Sequence, residues 1–273
     1  MQLTNQELEL WYFQTSGEAV KSAVGAGIST FIVDWENKSK AARQWGRDTE
    51  INYDTVEDLE RVAAVHGVKA VCRINRLSSQ TARDIDTALS GGAKLILLPM
   101  VEQLSEAETF LRLLNGRAAG GILIETANAV SSVKQLAKLP LSAVYIGLND
   151  LCISLGKSHI FEAVVDGTVE HVCTVLADEG LFFGMGGVTV VDGGAPVPCR
   201  LLMAELCRLD VRFTFLRRSF RRDIAGRDIA IEVTRIQSEW RDLRARDRDQ
   251  VESDHRSMLR VVGGLSSQLG AVS

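Results

Sequence analysis

The chain has 273 residues, 46% of them hydrophobic, and its 31 basic and 35 acidic residues give a formal net charge of −4. This charge balance gives no support for nucleic-acid binding, and no run approaches the roughly 18 apolar residues that a membrane span needs. The first ten residues, MQLTNQELEL, contain neither a basic nor an apolar leader region. We therefore expect a cytoplasmic protein with no nucleic-acid or membrane partner, and the length is typical of one complete α/β barrel.

Short apolar runs alternate with longer segments of helical periodicity along most of the chain. The eight runs cover residues 9–15, 30–34, 70–74, 95–100, 121–125, 143–147, 181–185 and 211–216. They are apolar on both faces, as buried parallel strands are. Eight repeats of strand and helix predict a single (β/α)8 TIM barrel over residues 1–227, with a doubly wound open sheet as the alternative.

Local signals mark several helix boundaries and a helical tail. Residues 105–108 and 55–58 have the pattern of N-terminal capping boxes. From Asp228 the chain predicts a C-terminal helical extension (228–273) that packs on the barrel or on a neighbouring subunit, with apolar positions Ile231, Val233, Ile236 and Trp240. Its charged run 241–249 is typical of a solvated helix face, and its Gly- and Ser-rich end predicts loose order or dependence on a partner.

Candidate site residues, most of them polar, follow several of the predicted strands, at the barrel end where active sites of this fold are built. They are Asp34 and Glu36 after strand two, Arg73 after strand three, Met100 after strand four, Glu125 after strand five, Gly147, Leu148, Asn149 and Asp150 after strand six, and Arg217 and Arg218 after strand eight. Charged residues are common in loops. Their convergence on one rim is what predicts a site.

The two carboxylates at the ends of neighbouring strands form a candidate metal site. Glu125 and Asp150 could share a hard cation, Mg²⁺ or Mn²⁺, that completes its octahedron with water and substrate oxygens. The alternative for each acid is a helix cap or first-turn position. Arg73 could place a fixed positive charge beside an oxygen that becomes negative during reaction. A salt bridge from Arg73 to Asp34 or Glu36 is the alternative, and it is compatible with that role.

The run 216–223 is the densest basic cluster, and it lies near the usual phosphate position of these barrels. We hypothesise that Arg217 and Arg218 bind a phosphate or a second carboxylate on the aldehyde half of a substrate. The alternative is that these arginines pair with acids or lie at a subunit contact. His159 is the one histidine that we retain as a catalytic candidate, because the others fall in helical patterns or at helix ends.

Ordered motifs between residues 31 and 156 resemble the HpcH/HpaI aldolase and citrate lyase β-subunit family. They are Ile-Val-Asp34-Trp-Glu36-Asn37, Cys72-Arg73-Ile-Asn75, Ile124-Glu125-Thr126-Ala127 and Gly147-Leu-Asn149-Asp150-Leu-Cys-Ile-Ser154-Leu-Gly156. The resemblance implies a magnesium- or manganese-dependent carbon–carbon lyase or aldolase that acts through the enolate of a small, pyruvate-like 2-oxo acid, with an aldehyde as second substrate, in a homo-oligomer.

The same resemblance implies roles for individual residues. Glu125 and Asp150 would bind the metal, and Arg73 would neutralise the enolate oxygen. Backbone amides of residues 147–150 would hold the substrate carboxylate. These assignments follow from the family's motifs, position by position, whereas Met100 is predicted to bind substrate from its place at the end of strand four.

Two departures from the family leave alternatives open. Asn37 stands where the family has a histidine or an acid, so proton transfer could fall to metal-bound hydroxide, to Asp34 or Glu36, or to another subunit. The N-terminal run Leu10-Trp-Tyr-Phe-Gln-Thr lacks the R-S-x-L-F-x-P opening of the coenzyme A lyases. The alternatives to an aldolase are a coenzyme A ester lyase of the citryl or malyl type, and a non-catalytic barrel that binds keto acids.

Overall fold

The computed structural model describes residues 7–36 and 53–270 of the chain. Eight parallel strands form a closed barrel in sequence order, with β1 paired to both β2 and β8. The strands are β1 (Glu9–Tyr12), β2 (Thr30–Asp34), β3 (Lys69–Arg73), β4 (Leu95–Leu98), β5 (Ala119–Ile124), β6 (Ala143–Ile146), β7 (Phe183–Met185) and β8 (Phe213–Leu216). The prediction of a TIM barrel is therefore confirmed, and the open-sheet alternative is wrong.

Helices lie between and after the strands. They are α1 (Gly17–Gly25), α2 (Val56–Ala63), α3 (Thr81–Ser90), α4 (Leu104–Leu114), α5 (Ala127–Ser131), α6 (Val133–Leu136), α7 (Leu148–Ser154), α8 (Glu162–Val165), α9 (Thr168–Asp178), α10 (Cys199–Arg208), α11 (Phe220–Asp223), α12 (Ile229–Arg244) and α13 (Arg248–Gly270). In the part of the chain that the structure describes, no helix is long and apolar enough to cross a membrane.

The predicted capping box at residues 55–58 is confirmed. Thr55 and Asp58 exchange hydrogen bonds between side chain and backbone at the start of α2. The box predicted at Ser105 is wrong, because α4 begins at Leu104 and Ser105 already lies in its first turn. The carboxylate of Glu106 instead accepts from the N–H of Glu102 at 2.6 Å, outside the helix.

The barrel interior is filled mainly by large apolar and aromatic side chains. Trp11 stacks on Phe213 with ring centroids 4.0 Å apart, and Tyr145 stacks on Phe215 at 3.5 Å. A Cβ at Gly184 would lie 2.7 Å from the Phe213 ring, so this inward position of β7 must be glycine. The aromatic layer closes the barrel below the carboxyl ends of the strands, which leaves the space above it for a ligand.

The C-terminal extension consists of α12 and α13, both of which contact α10. Asp228 caps α12 by accepting from the N–H of Ala230 at 2.7 Å. Val233, Ile236 and Trp240 are buried as predicted, whereas Ile231 is 60% exposed. The predicted boundary between barrel (1–227) and extension (228–273) stays a prediction.

One prediction about the end of the extension is wrong. The run 241–249 is not one solvated helix face, because α12 ends inside it and the side chain of Arg246 is buried. Arg246 pairs with Asp254 at 2.5 Å and donates to the carbonyl of Ala204 at 3.0 Å, which ties the extension to α10. The Gly- and Ser-rich segment is helical to Gly270, and its loose order or dependence on a partner stays a prediction.

Candidate active site

A cavity of about 1180 Å³ opens at the carboxyl ends of the strands. The sequence-predicted residues that line it are Arg73, Glu125, Gly147, Leu148, Asn149, Asp150, Arg217 and Arg218. Asp34, Glu36 and Met100 lie behind this surface, where each bonds to a residue that lines it. The structure therefore brings the predicted residues together around one space, although three of them have supporting positions.

Arg73, the last residue of β3, is held by two carboxylates from the end of β2. Its Nε and Nη2 donate to the two oxygens of Asp34 at 2.8 and 2.7 Å, and its Nη1 lies 3.4 Å from Glu36. Burial alone would lower the pKa of Arg73, but the charges of Asp34 and Glu36 outweigh burial and raise it above its ordinary value. The result is a permanently charged guanidinium in a fixed orientation.

Asp34 is fully buried and makes several contacts at once. Besides Arg73, it accepts from the N–H of Glu36 at 3.2 Å, and Arg218 lies 3.7 Å from its Oδ2. A carboxylate that is paired with a bidentate arginine is a poor proton acceptor. The structure therefore gives Asp34 the position of a residue that holds Arg73, and a role of Asp34 in proton transfer stays a prediction.

Glu125, directly after β5, presents a buried carboxylate to the cavity. Its Oε1 accepts from the N–H of Met100 at 2.7 Å. The pKa of Glu125 is raised from 4.5 to about 8. Burial is the largest cause, and the nearby negative charges of Glu36 and Asp150 add to it. The positive charge of Arg73 and the hydrogen bond from Met100 offset this rise only in part.

Glu125 and Asp150 together fit a hard divalent cation. Both side chains are buried, both line the cavity, and their mutual repulsion would be relieved by a positive ion between them. Among residues 7–36 and 53–270, no three or more His, Cys, Asp or Glu side chains are grouped so as to hold a metal. A cation here would therefore have two protein carboxylates and take its remaining ligands from water and substrate, as Mg²⁺ does in many enzymes.

Local backbone features fix the carboxylate of Glu125. Met100 has a left-handed conformation, with a φ of 55°, and its N–H holds Glu125. Met100 is thus a support for Glu125, and its assignment as a substrate-binding residue stays a prediction. A Cβ at Gly147 would lie 2.5 Å from Oε2 of Glu125, so glycine is required beside the carboxylate. The N–H of Gly147 donates to the carbonyl of Ile124 at 3.1 Å, so this amide already has a partner within the protein.

Arg217 and Arg218 are adjacent in sequence but differ in surroundings. Arg218 lies near Asp34, whereas Arg217 donates from Nε to the carbonyl of Gly187 at 2.6 Å and lies 6.0 Å from the ring centre of Phe161. The basic cluster therefore divides into an arginine with an acidic neighbour and one that faces a carbonyl and an aromatic ring.

Sequence reasoning missed several cavity residues, of which Tyr145 is the most central. Its hydroxyl donates to the carbonyl of Gly186, and its ring stacks on Phe215. Period-two alternation along β6 would have found it, because Tyr145 stands two residues before Gly147 and shares its inward direction. Burial raises the pKa of Tyr145, which keeps the hydroxyl protonated.

His159, the histidine retained from the sequence, does line the cavity. Burial lowers the pKa of its ring, and its Nδ1 accepts from the N–H of Phe161 at 3.3 Å. The ring is therefore neutral near pH 7, with its proton on Nε2. Asn37, the position at which the family motif is broken, lies outside the described residues.

Comparison with known proteins agrees with the fold and the motifs. The chain is similar in structure to an HpcH/HpaI aldolase from Desulfitobacterium hafniense DCB-2, with a TM-score of 0.63 and 15% identity over 81% of this chain and 91% of that one. It is also similar to the citrate lyase β subunit from M. tuberculosis complexed with oxaloacetate and magnesium, with a TM-score of 0.53 and 19% identity over 89% and 99% of the two chains. At such identities the likeness shows the fold alone.

The sequence comparison carries the assignment further. No curated protein sequence matches the chain significantly. The sequence model of the HpcH/HpaI aldolase/citrate lyase family, however, matches residues 8–172, which is more than half of the chain. That range contains β1 to β6 and the residues around the two cavity carboxylates. The chain therefore belongs to the HpcH/HpaI aldolase/citrate lyase family.

Proposed function

We propose that the chain is a divalent-metal-dependent carbon–carbon lyase or aldolase that forms or cleaves a bond beside the enolate of a small 2-oxo acid. The observation that carries this proposal is the meeting of Arg73, Glu125 and Asp150 in one cavity. The oxaloacetate and magnesium bound by the M. tuberculosis relative support the class of substrate and metal. An aldehyde as second substrate and assembly into a homo-oligomer are further parts of the proposal.

Glu125 and Asp150 would hold Mg²⁺ or Mn²⁺. When bound, such an ion acts as a Lewis acid that withdraws electron density from the oxygens of a 2-oxo acid. The protein prepares this site by burying two carboxylates and fixing one of them with the N–H of Met100. Because the carboxylates repel each other in the metal-free protein, binding of a cation is favoured electrostatically.

Arg73 would stabilise the negative charge that develops on the substrate oxygen. Nη1 and Nη2 each carry a second hydrogen besides the one directed at Glu36 or Asp34, and Arg73 lines the cavity. Because the two acids fix the guanidinium before substrate arrives, little reorganisation is needed during reaction. A preorganised donor of this kind contributes about 3 kcal/mol to transition-state stabilisation.

Enolate formation can be tested without knowing the second substrate. The protein is incubated with pyruvate in heavy water, with and without Mg²⁺ or Mn²⁺, and the methyl signal is followed by NMR. We expect the methyl signal to be lost only when metal is present. In Glu125→Gln and Asp150→Asn we expect no loss of the signal. Asp223→Asn is the matched control, because Asp223 also lines the cavity but bonds to Thr189. Its exchange rate should stay near that of the wild type.

The opposite result would redirect the proposal. If metal binding is demonstrated independently and no exchange occurs, the pyruvate-like donor is wrong. Cleavage of a citryl or malyl coenzyme A ester would then favour the thioester lyase. Binding of 2-oxo acids without turnover of any of these substrates would favour the non-catalytic barrel.

A further inference from the structure

An outer cavity of about 490 Å³ lies against the outside of the barrel wall, bordered by Tyr12, Gln14, helix α1 and residues 221–229. Side chains alternate between the two faces of a strand. Trp11 and Phe13 belong to the core inside the barrel, whereas Tyr12 packs with the core outside it. The end of β1 thus separates the outer cavity from the candidate active site, and among the described residues only Arg227 borders both.

The hydroxyl of Tyr12 has no hydrogen-bond partner in the part of the chain that the structure describes. Tyr12 is only 3% exposed, and its ring packs edge-on against Phe220 with centroids 5.7 Å apart. A buried tyrosine hydroxyl is ordinarily hydrogen-bonded, as that of Tyr145 is to the carbonyl of Gly186. Because Tyr12 borders the outer cavity, a molecule bound there would supply the missing partner.

Gln14 offers a second polar group to the outer cavity. Its Oε1 accepts from the N–H groups of Thr15 at 3.1 Å and Ser16 at 3.0 Å. These two bonds occupy the oxygen and fix the orientation of the amide. The Nε2 of Gln14 carries two hydrogens, and it has no acceptor among residues 7–36 and 53–270. A ligand with an acceptor group would satisfy it.

Charged side chains of both signs border the outer cavity without pairing with each other. Arg221 donates to the carbonyl of Phe13 and has no acid within 4 Å in the described ranges. Asp228 accepts from the N–H of Ala230 through Oδ1, while its Oδ2 has no described partner. Arg227 is already paired with acids. The cavity therefore presents one cation and one anion to a ligand.

A zwitterion fits this lining better than a simple anion or a simple amine. A lone carboxylate would pair with Arg221 but would be repelled by Asp228, and a lone amine would meet the reverse problem. A ligand that carries both charges satisfies both residues. The remaining wall is apolar and consists of Ala19, Ile224 and Ile229.

We propose that the outer cavity is a binding site for an α-amino acid with a small apolar side chain. Arg221, Gln14 and the Tyr12 hydroxyl donate to its carboxylate, and Asp228 accepts from its ammonium group. The side chain of the ligand packs on the apolar wall. The site does not depend on the proposed function, because neither Glu125 nor the other proposed metal ligand borders it.

Binding is measured by titration calorimetry with L-alanine, L-valine and L-leucine, with EDTA present so that the proposed metal site is empty. For the amino acid that binds most tightly, two analogues follow, one without the amino group and one without the carboxyl group. Each analogue should bind about tenfold more weakly or worse, because each loses a charged hydrogen bond.

Two variants remove the groups that should bind the carboxylate. Arg221→Met should weaken binding about tenfold or more. Tyr12→Phe removes a hydroxyl that has no described partner, so the melting temperature should stay that of the wild type while affinity falls about fivefold. Arg222→Met is the matched control, because the Arg222 side chain is 81% exposed and borders the other cavity. Its affinity should equal that of the wild type.

A third variant tests the ammonium end. Asparagine caps a helix about as well as aspartate, so Asp228→Asn should keep α12 intact while removing the negative charge. The advantage of the amino acid over the analogue without the amino group should then fall to about one. The ratio of these two dissociation constants reports on the charge of Asp228 and not on overall folding.

Several results would overturn the site. They are the absence of binding by all three amino acids, analogues that bind as tightly as the amino acid, and wild-type affinity in both Arg221→Met and Asp228→Asn. Binding that is lost in Arg73→Met but kept in Arg221→Met would locate the amino acid in the candidate active site and would also overturn it. Pyruvate exchange is not used, so this test and that of the proposed function fail independently.

Discussion

Glu125→Gln should stabilise the metal-free barrel while removing one ligand of the proposed metal site. The Glu125 side chain is only 2% exposed, and Glu36 and Asp150 add negative charge around it. A glutamine of the same shape can still accept the N–H of Met100 through its amide oxygen. The substitution therefore removes a charge that the folded protein holds unfavourably and keeps the hydrogen bond.

The size of the effect follows from the pKa of Glu125, which is 4.5 ordinarily and about 8 in the folded protein. Because folding raises this pKa, the stability contributed by the protonated group is complete below pH 4.5 and is lost as the pH rises through about 8. By linkage, the loss at pH 7 is about 3 kcal/mol. Glutamine does not titrate, so the gain of the variant should be near zero at pH 4.5 and about 3 kcal/mol at pH 7.

The free energy of unfolding is measured by urea denaturation with EDTA present, followed by circular dichroism at several pH values. Glu205→Gln is the control, since Glu205 is equally buried but pairs with Arg208 at 2.7 Å. Loss of the Glu205 charge should destabilise the protein by about 3 kcal/mol, because Arg208 would lose that buried partner. Added Mg²⁺ should raise the melting temperature of the wild type and not that of Glu125→Gln. A metal-free Glu125→Gln protein that is less stable than the wild type at pH 7 would refute the reasoning.

Three further substitutions test the supports of the site. Gly147→Ala would place a Cβ 2.5 Å from Oε2 of Glu125. Metal affinity, measured by calorimetry, should therefore fall about tenfold or more. An unchanged affinity would contradict the close contact between this Cβ and the carboxylate. Asp34→Asn removes a charged partner of Arg73. The free energy of unfolding should fall by about 3 kcal/mol, and the rate of pyruvate proton exchange should fall as well. Loss of exchange without loss of stability would instead favour a direct role of Asp34 in proton transfer. Tyr145→Phe removes the donor to Gly186 and should cost about 1–2 kcal/mol in urea unfolding, whereas an unchanged midpoint would show that the carbonyl finds another partner.

Much of the fold and the site could be predicted because both depend on local pattern. Strands buried on both faces are apolar throughout, so their ends are marked by the first polar residues, as at Asp34 and Arg73. Once eight such strands close into a barrel, their carboxyl ends must share one rim. Glu125 and Asp150 therefore met as predicted, although no long-range contact could be read from the sequence.

What could not be predicted was which group each charged side chain would contact. Arg217 and Arg218 are chemically identical and adjacent, yet only Arg218 lies near Asp34, because consecutive residues at a strand end point in different directions. Met100 looked like a cavity residue, but its left-handed backbone directs its N–H at Glu125. Such outcomes depend on φ and on three-dimensional distances, which residue type alone does not specify.

Some charged side chains at the cavity have partners of opposite charge, and others do not. Asp34 and Glu36 together balance Arg73, so this group is stable without a ligand. Glu125 is not balanced, as its raised pKa shows, and Arg217 has no acidic partner among the described residues. A cation beside Glu125 and an anion beside Arg217 would each relieve an electrostatic cost of folding.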